Sequence, residues 1–586
     1  MILERLDCLS HKIFCWASRI GMAERVSEFE ETQVTEASGS PSRLYRWVLR
    51  WQERGIFFRI EKAAFQALLH SRVSDIGVFF ILWGTIELAW NGLFFGTFAL
   101  VSLIRILSAS VLLHSTRLCG KCVQGSRILR WFLFDFCQLS EDAFGIVRGR
   151  RTPLPLWIML GGLIGVFGCV TSPMAATLSI ASAVLLALLF AIPEMALLIL
   201  LAALPFLNLL SHPTWWLFGG LCVCGFACLG KAISGKRQIE WGRTDWLALW
   251  LAFLYAMSGA VSFGSPIDGL LRGFLMLTGW FMPRILLTAP KWKRRATGAL
   301  CISSFICSVV GILEYVMGKA PLGWVDTARF ADIGGRVCSL FNNPNLFAVF
   351  LLFTVPLPLA GCFKERGMFA KWMSFFAFLT GSACLLLTWS RGAWLGWLVA
   401  VFLLMAVSSR RSFSLLLLGG AFAIAALPFL PPPVARRFQS IGNFADTSAN
   451  YRLNTWRGVV RMLKSHPWGI GCGERAFRRV FPAYAVSGTE GVMHPHQVFL
   501  EVFSELGVVG FLFFALILLR LFKRFLCFCR TMPQGVSRAE GVALFCALAG
   551  GMVMGLFDSL WYHNGLFWLF WVVCAMCENL HGEVRK

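Results

Sequence analysis

The residues best suited to chemistry stand together near the C-terminal end, in His494-Pro495-His496-Gln497-Val498-Phe499-Leu500-Glu501 and on to Glu505 and Gly507. The stretch closes a basic, irregular segment and opens directly into an apolar run. A histidine titrates near neutrality and can take a proton from a hydroxyl. Gln497, Glu501 and Glu505 are spaced by four and so share one helix face. Beside lipid, that face must look into protein or an aqueous cleft. His496 is therefore the candidate base, with His494 secondary and Glu501 or another acid to orient it. The plainer reading is a structural histidine held by hydrogen bonds. Two histidines also raise the possibility of a metal, but no third ligand stands at a suitable spacing and the neighbouring arginines would repel a cation.

Those arginines are the second chemical feature. Segment 432–496 holds nine basic residues (Arg436, Arg437, Arg452, Arg457, Arg461, Lys464, Arg475, Arg478, Arg479) against three acids. Tyr451 to Ser465 reads as a helix with an apolar stripe of Leu453, Trp456, Val460 and Leu463. Arg457, Arg461 and Lys464 fall on another face, and Pro467 ends the helix. Planar guanidinium groups on such a helix suit bidentate binding of phosphate. The competing reading is that a long loop simply escapes the usual charge bias. Upstream, Arg336 precedes Phe341-Asn342-Asn343-Pro344-Asn345. Asn343 reads as an N-cap and Pro344 as the first helical residue. Free N–H groups at such a helix start favour an anion. Ser390-Arg391-Gly392 falls between two apolar runs, where a charge is either functional or snorkels to the interface. Arg272 and Arg284 also sit in an apolar run, Arg284 within reach of the cytoplasmic end and Arg272 towards the outer side. Gly469-Ile470-Gly471-Cys472-Gly473 follows no strand, so it reads as a tight turn and not as a dinucleotide loop.

The elements that must hold these groups are membrane helices. The chain has 586 residues, of which 57% are hydrophobic and 15% charged, with a mean hydropathy of +0.68. Soluble domains run nearer 45–50% apolar and about 25% charged. Apolar runs of about 20 residues recur, each long enough to cross a bilayer. The expected fold class is an all-α polytopic membrane protein of about 12–16 transmembrane helices, with one large outer loop containing short amphipathic helices. A formal charge of +23 would suggest nucleic acid in a soluble protein; here it reads as basic cytoplasmic loops, and no nucleic-acid partner is expected. The twenty cysteines are scattered, with no paired CxxC motifs that would suggest zinc.

Basic groups recur at Lys121 to Arg151, Lys231 to Arg243, Lys291 to Arg295, Lys364 to Lys371, Arg410-Arg411 and Arg520 to Arg530. Alternating spans put all of them on one side, hence the cytoplasm, with both termini. Segments of roughly 318–342 and 432–496 then lie outside, away from ATP, so chemistry there needs an already activated substrate. The expected organisation is a partly disordered, interfacial N-terminal region 1–72, transmembrane helices over 73–296, a core over 297–520 that includes the outer loop 432–496, and C-terminal helices with a short cytoplasmic tail over 521–586. Within the first region, Glu28 to Ser42 is polar and Leu44 to Leu69 suits a helix on the membrane surface. No signal peptide pattern opens the chain.

In combination, Arg336 with Phe341-Asn342-Asn343-Pro344-Asn345, Leu387-Thr388-Trp389-Ser390-Arg391-Gly392, Arg452 to Trp456 with His466-Pro467-Trp468-Gly469, and His494-Pro495-His496-Gln497 with Gly507 and Gly510 resemble the O-antigen ligase and O-antigen polymerase superfamily of bacterial membrane glycosyltransferases. The resemblance covers about residues 300–515; the order and spacing of the motifs carry it. It implies a helical fold of the C-type glycosyltransferase class in the bacterial cytoplasmic membrane, with no cofactor and no metal. It further implies transfer of a glycan from an undecaprenyl-pyrophosphate carrier to a glycan or lipid acceptor hydroxyl at the outer face. On this likeness Arg336, Arg452 and Arg391 would hold the pyrophosphate and His496 would be the catalytic base. His494, Gln497, Glu501, Asn343, Asn345 and Arg457 would support them. A ligase passes the glycan to a terminal acceptor and a polymerase to a second lipid-linked repeat; the motifs overlap, with a slight lean towards the ligase. This sequence has Gln497 where the family more often has Asn or Ser, and its N-terminal extension is longer. A transporter is the more distant alternative; it would require internal repeats and broken helices near the midplane.

Overall fold

The computed structural model describes residues 67–580 except 96–99, 131–151, 178, 181–191, 234–240, 262, 320–334, 365–366, 409, 427–446, 487, 532–535 and 562. The expectations for Glu28 to Ser42 and for most of Leu44 to Leu69 lie outside the described residues. Among the described residues the protein is an all-helical polytopic membrane protein. Seven helices are long and apolar enough to cross a membrane, and five shorter apolar helices accompany them. Several apolar runs that read as continuous spans are divided. Pro193–Ala203 ends just before Leu204-Pro205, and the run after Asn343 is interrupted at Val355 ahead of Pro356, where a proline removes a helix donor.

The chain forms two compact units, residues 1–195 with 233–236 and residues 196–232 with 237–586. In the first, helices α1 (Val73–Phe95), α2 (Leu100–Leu112) and α3 (Leu154–Val170) pack together. Gly161, Gly165 and Gly168 form the buried face of α3, and small residues there let two helix backbones approach closely. Glu87 is fully buried. It accepts from Trp83 Nε1 at 2.6 Å, Ser102 Oγ at 2.8 Å and Arg105 Nη1 at 2.6 Å. Arg105 also lies 3.7 Å over the Trp83 ring. A charge within an apolar helix is thus fully paired, which explains its presence on structural grounds.

The second unit is built from α4 (Arg243–Val261), α5 (Pro266–Leu286), α6 (Pro290–Val316), α7 (Pro344–Thr354), α8 (Met368–Leu387), α9 (Arg391–Ser408), α10 (Thr447–Ser465), α11 (Glu474–Val480), α12 (Val498–Thr531), α13 (Val536–Gly555) and α14 (Asn564–Asn579). Every residue of α14 after Asn564 is buried, and its Phe567, Trp568, Phe570 and Trp571 are fully buried. Helix α4 pairs with α5, α5 with α14, and α9 with α13. At one end of α5, Arg284 binds Asp245 at 2.9 Å and Asn579 Oδ1 at 2.6 Å, and Asp245 also accepts from Trp280. At the other end, Arg272 donates to Trp561 O at 2.7 Å.

Within segment 432–496 the described residues hold two short helices, α10 and α11. Their buried faces meet in a cluster of Val459, Met462, Leu463, Phe477, Val480 and Phe481. The buried stripe of α10 is therefore rotated from the expected one. Val460 is 46% exposed and Val459 is fully buried, because α11 covers the helix from that side.

Helix α12 is broken at Gly507, whose φ of 68° and ψ of −166° lie outside the helical region. The break frees carbonyls that a continuous helix would use. Ile470 N donates to Ser504 O at 2.8 Å, Gly471 N to Glu505 O at 3.1 Å and Val508 N to Pro467 O at 3.0 Å. The glycine-rich turn thus docks into the helix itself. A Cβ at Gly507 would meet the Trp468 backbone at 2.3 Å, so only glycine fits both the conformation and the space.

Candidate active site

The site is assembled from several helix ends and the loops between them. Asn343 opens α7 as an N-cap; its Oδ1 accepts from Asn345 N at 2.8 Å and Leu346 N at 3.4 Å, and Pro344 follows. That capping satisfies the first free N–H groups, so the helix start expected to favour an anion is already occupied by its own side chain. Asn345, the second residue of α7, reaches to neighbouring segments instead. Its Oδ1 accepts from Arg336 Nη2 at 2.8 Å and its Nδ2 donates to Asp558 Oδ2 at 2.8 Å.

Asp558 is the hub, and the sequence reading had not singled it out. It lies between α13 and α14 and is 7% exposed. Its Oδ2 also takes the guanidinium of Arg452, on the first turns of α10, at 3.3 Å. Its Oδ1 accepts from Ser559 N at 2.9 Å and pairs with His496 Nδ1 at 3.0 Å. One carboxylate thereby joins Arg452, His496 and, through Asn345, Arg336. Burial alone would raise the Asp558 carboxyl, but Arg452, His496 and His494 together hold it below the usual carboxylate range. An ionised carboxylate only accepts hydrogen bonds, so the proton between them sits on His496 Nδ1. The Nε2 lone pair is then left for an incoming proton.

His496 has a φ of 52°, a conformation that costs a non-glycine residue energy and is found where surrounding contacts over-determine it. Those contacts are visible. His496 N donates to His494 Nδ1 at 3.3 Å, the two rings lie 4.1 Å apart, and Trp456 Nε1 on α10 donates to Pro495 O at 3.0 Å. Burial, reinforced by the neighbouring His496, pushes His494 down to about 3, so it is neutral at physiological pH.

Arg336 is anchored by donation from Nε to Thr388 O at 2.8 Å, at the end of α8. Burial, with the nearby charges of Arg452 and Arg391, pushes it down to about 10, which leaves it charged at neutral pH. Arg391 begins α9 and is half-buried, near enough for its charge to act on Arg336. Arg452 thus meets the Asp558 carboxylate directly, Arg336 reaches it through Asn345, and Arg391 stands near Arg336. The remaining sequence candidates lie around this core. Gln497 caps α12 through its Oε1, accepting from Leu500 N at 2.7 Å. Glu501 turns away from His496 and accepts from Ser559 Oγ at 2.6 Å. Arg457 is exposed and bonds Asn454 on its own helix at 3.2 Å. The acid that orients the histidine is therefore Asp558, 62 positions away in the chain.

Asp558 also completes a cluster that the sequence lacked. Donor atoms of His494, His496 and Asp558 lie within 4.8 Å of one another, a spacing that could hold a metal ion. The surrounding chemistry opposes it. Both Asp558 oxygens already accept hydrogen bonds, one of them from a guanidinium, and Arg452 beside a dication is repulsive.

No curated protein matches the chain. Residues 376–515 match the family model described as O-antigen ligase, a span that contains Arg391, Arg452, His494 and His496. This part of the membrane protein is similar to the O-antigen ligase family.

Proposed function

We propose that the protein transfers a glycan from an undecaprenyl-pyrophosphate carrier to an acceptor hydroxyl, in the manner of an O-antigen ligase, at the outer face of the bacterial cytoplasmic membrane with both termini inside. The observation that carries this reading is the single carboxylate, Asp558, that ties a histidine to Arg452 and, through Asn345, to Arg336. The acceptor hydroxyl approaches His496 Nε2 and loses its proton to it. The hydroxyl oxygen forms the new bond to the anomeric carbon as that carbon's bond to the pyrophosphate oxygen breaks. The bonding pair leaves with the pyrophosphate, whose charge Arg336, Arg452 and Arg391 neutralise. Asp558 holds the imidazole in the required tautomer and stabilises it when protonated. One base suffices for such a displacement, unlike the paired carboxyl groups of a glycoside hydrolase. A polymerase would use the same groups with a lipid-linked repeat as acceptor.

The arginines around Asp558 favour a mechanism without a metal. Transfer by purified, reconstituted protein, measured from a lipid-pyrophosphate-linked oligosaccharide to a lipid-anchored oligosaccharide, is expected to be unchanged after exhaustive chelation. A rate lost to the chelator and restored by a divalent ion would make His494, His496 and Asp558 a metal site instead. Donor bound and moved across the bilayer with no product formed would favour a transporter.

A further inference from the structure

Beside His494 lies a cavity of about 250 Å³, walled by Arg272, Glu501, Glu505, Glu474, Met493 and Phe477, and by His494 itself. It far exceeds one water, whose share of liquid volume is about 30 Å³, and is of the order of a sugar ring. Its polar groups are buried but incompletely used. Glu501 is 5% exposed, and Glu505 and Arg272 are each 9% exposed. Glu501 Oε2 is bonded to Ser559 and Glu505 Oε1 to Gly473 N; the second oxygen of each has no hydrogen-bond partner among the described residues. Arg272 donates from Nη2 to Trp561 O and stacks 4.6 Å over Phe567; among the described residues its other donors have no partner, and it makes no ion pair with either glutamate. Each of the three keeps hydrogen-bonding capacity beyond the one bond it makes, and unused capacity on a buried polar group is costly, so the three around one cavity point to a ligand that completes them.

The chemistry of the wall selects that ligand. Three carboxyl groups against one guanidinium make a poor seat for a pyrophosphate, which Arg336, Arg391 and Arg452, none of them lining the cavity, suit better. Phe477 and Met493 add an apolar part to the lining. A neutral group rich in hydroxyls donates to the carboxyls, accepts from Arg272 and lays a C–H face on Phe477. We infer that this cavity is the acceptor subsite, taking a hydroxyl-bearing sugar ring and presenting one of its hydroxyls to His496. The inference rests on the transferase reading above, and assigns Arg272, Glu501 and Glu505 as specificity-determining residues.

The test uses full-length protein in lipid nanodiscs, with a lipid-pyrophosphate-linked oligosaccharide as donor and a lipid-anchored oligosaccharide bearing free terminal hydroxyls as acceptor. Glu501→Gln and Glu505→Gln preserve shape. Met493→Trp narrows the cavity from a residue that is 38% exposed and leaves the charged groups intact. Each variant is expected to raise the acceptor KM by about tenfold or more, with donor KM and donor binding as in the wild type. An unchanged acceptor KM in all three, or a rise in donor KM instead, overturns the assignment while leaving the transferase reading intact. A second readout needs no turnover. Alkylation of Met493→Cys by a small thiol reagent, measured above the wild-type background, is expected to slow in the presence of the acceptor oligosaccharide and not of the donor. If the wild type transfers nothing, the transferase reading fails by itself, and this protection decides the subsite: slowing by the oligosaccharide supports it, and equal labelling with and without it overturns it.

Discussion

Asp558→Asn is expected to lower kcat for glycan transfer by about 10²- to 10⁴-fold, the range in which a positioned acid–base group contributes, while the protein still inserts and binds donor. The side chain keeps its size but loses the charge shared by Arg452 and His496. An amide that presents its NH₂ to His496 Nδ1 imposes the opposite tautomer. The proton then sits on Nε2, where the acceptor hydroxyl should deliver one. Because Asp558 is held below the usual carboxylate range, it is already ionised well below neutrality. The sign follows: its contribution to folding is complete above the unfolded aspartate pKa, near 3.9, and is lost only as pH falls through the depressed folded value. Asp558→Asn therefore flattens the acid limb of the stability–pH profile, an effect to be read from thermal midpoints between about pH 2 and 5. Wild-type turnover by the variant would remove Asp558 from the mechanism.

Arg452→Ala is expected to act on the donor. The guanidinium faces Asp558 at 3.3 Å and is the arginine nearest His496 in the hydrogen-bonded network. Loss of one charge-assisted contact to phosphate is worth about 1.5–3 kcal/mol, or about ten- to a hundredfold in donor binding. Because charge builds on the leaving group as its bond breaks, kcat falls as well. Arg452→Lys keeps the charge without the planar fork and recovers only part of the loss. The check is donor affinity by equilibrium binding beside single-turnover rates; equal donor affinity in wild type and Arg452→Ala would reassign the residue to a structural role. Arg457, exposed and bonded only to its own helix, serves as the contrasting position: Arg457→Ala is expected to leave both quantities within about twofold, as for other surface substitutions.

The helical membrane class was legible because it rests on composition and run length, which no tertiary detail can overturn. The Asn343 cap and the Pro344 start were legible because capping is local. The convergence of Arg336, Arg452 and His496 on Asp558 had no local signature, and the grouping of the arginines with His496 came through family resemblance. Asp558 was missed although a signal was present. An acid at the end of an apolar run is costly at membrane depth and asks for a functional reading, but Asp558 stood beyond the motifs that carried the resemblance. Glu501 was favoured as the orienting acid because helical spacing puts it near His496. The left-handed turn at His496 sends the imidazole to Asp558 instead, and a backbone conformation of that kind is invisible to periodicity. The break at Gly507 was hidden for the same reason. The glycine stood in an apolar run, and only the docked Trp468–Gly471 backbone explains why no other residue fits there.

The most direct test of the account is glycan transfer by purified His496→Ala protein, measured from a lipid-pyrophosphate-linked oligosaccharide to a hydroxyl acceptor, with donor binding measured on the same sample. The account predicts donor bound with near wild-type affinity, because the three arginines remain, and transfer slowed by about 10²- to 10⁴-fold. Full turnover by well-inserted His496→Ala protein would contradict it.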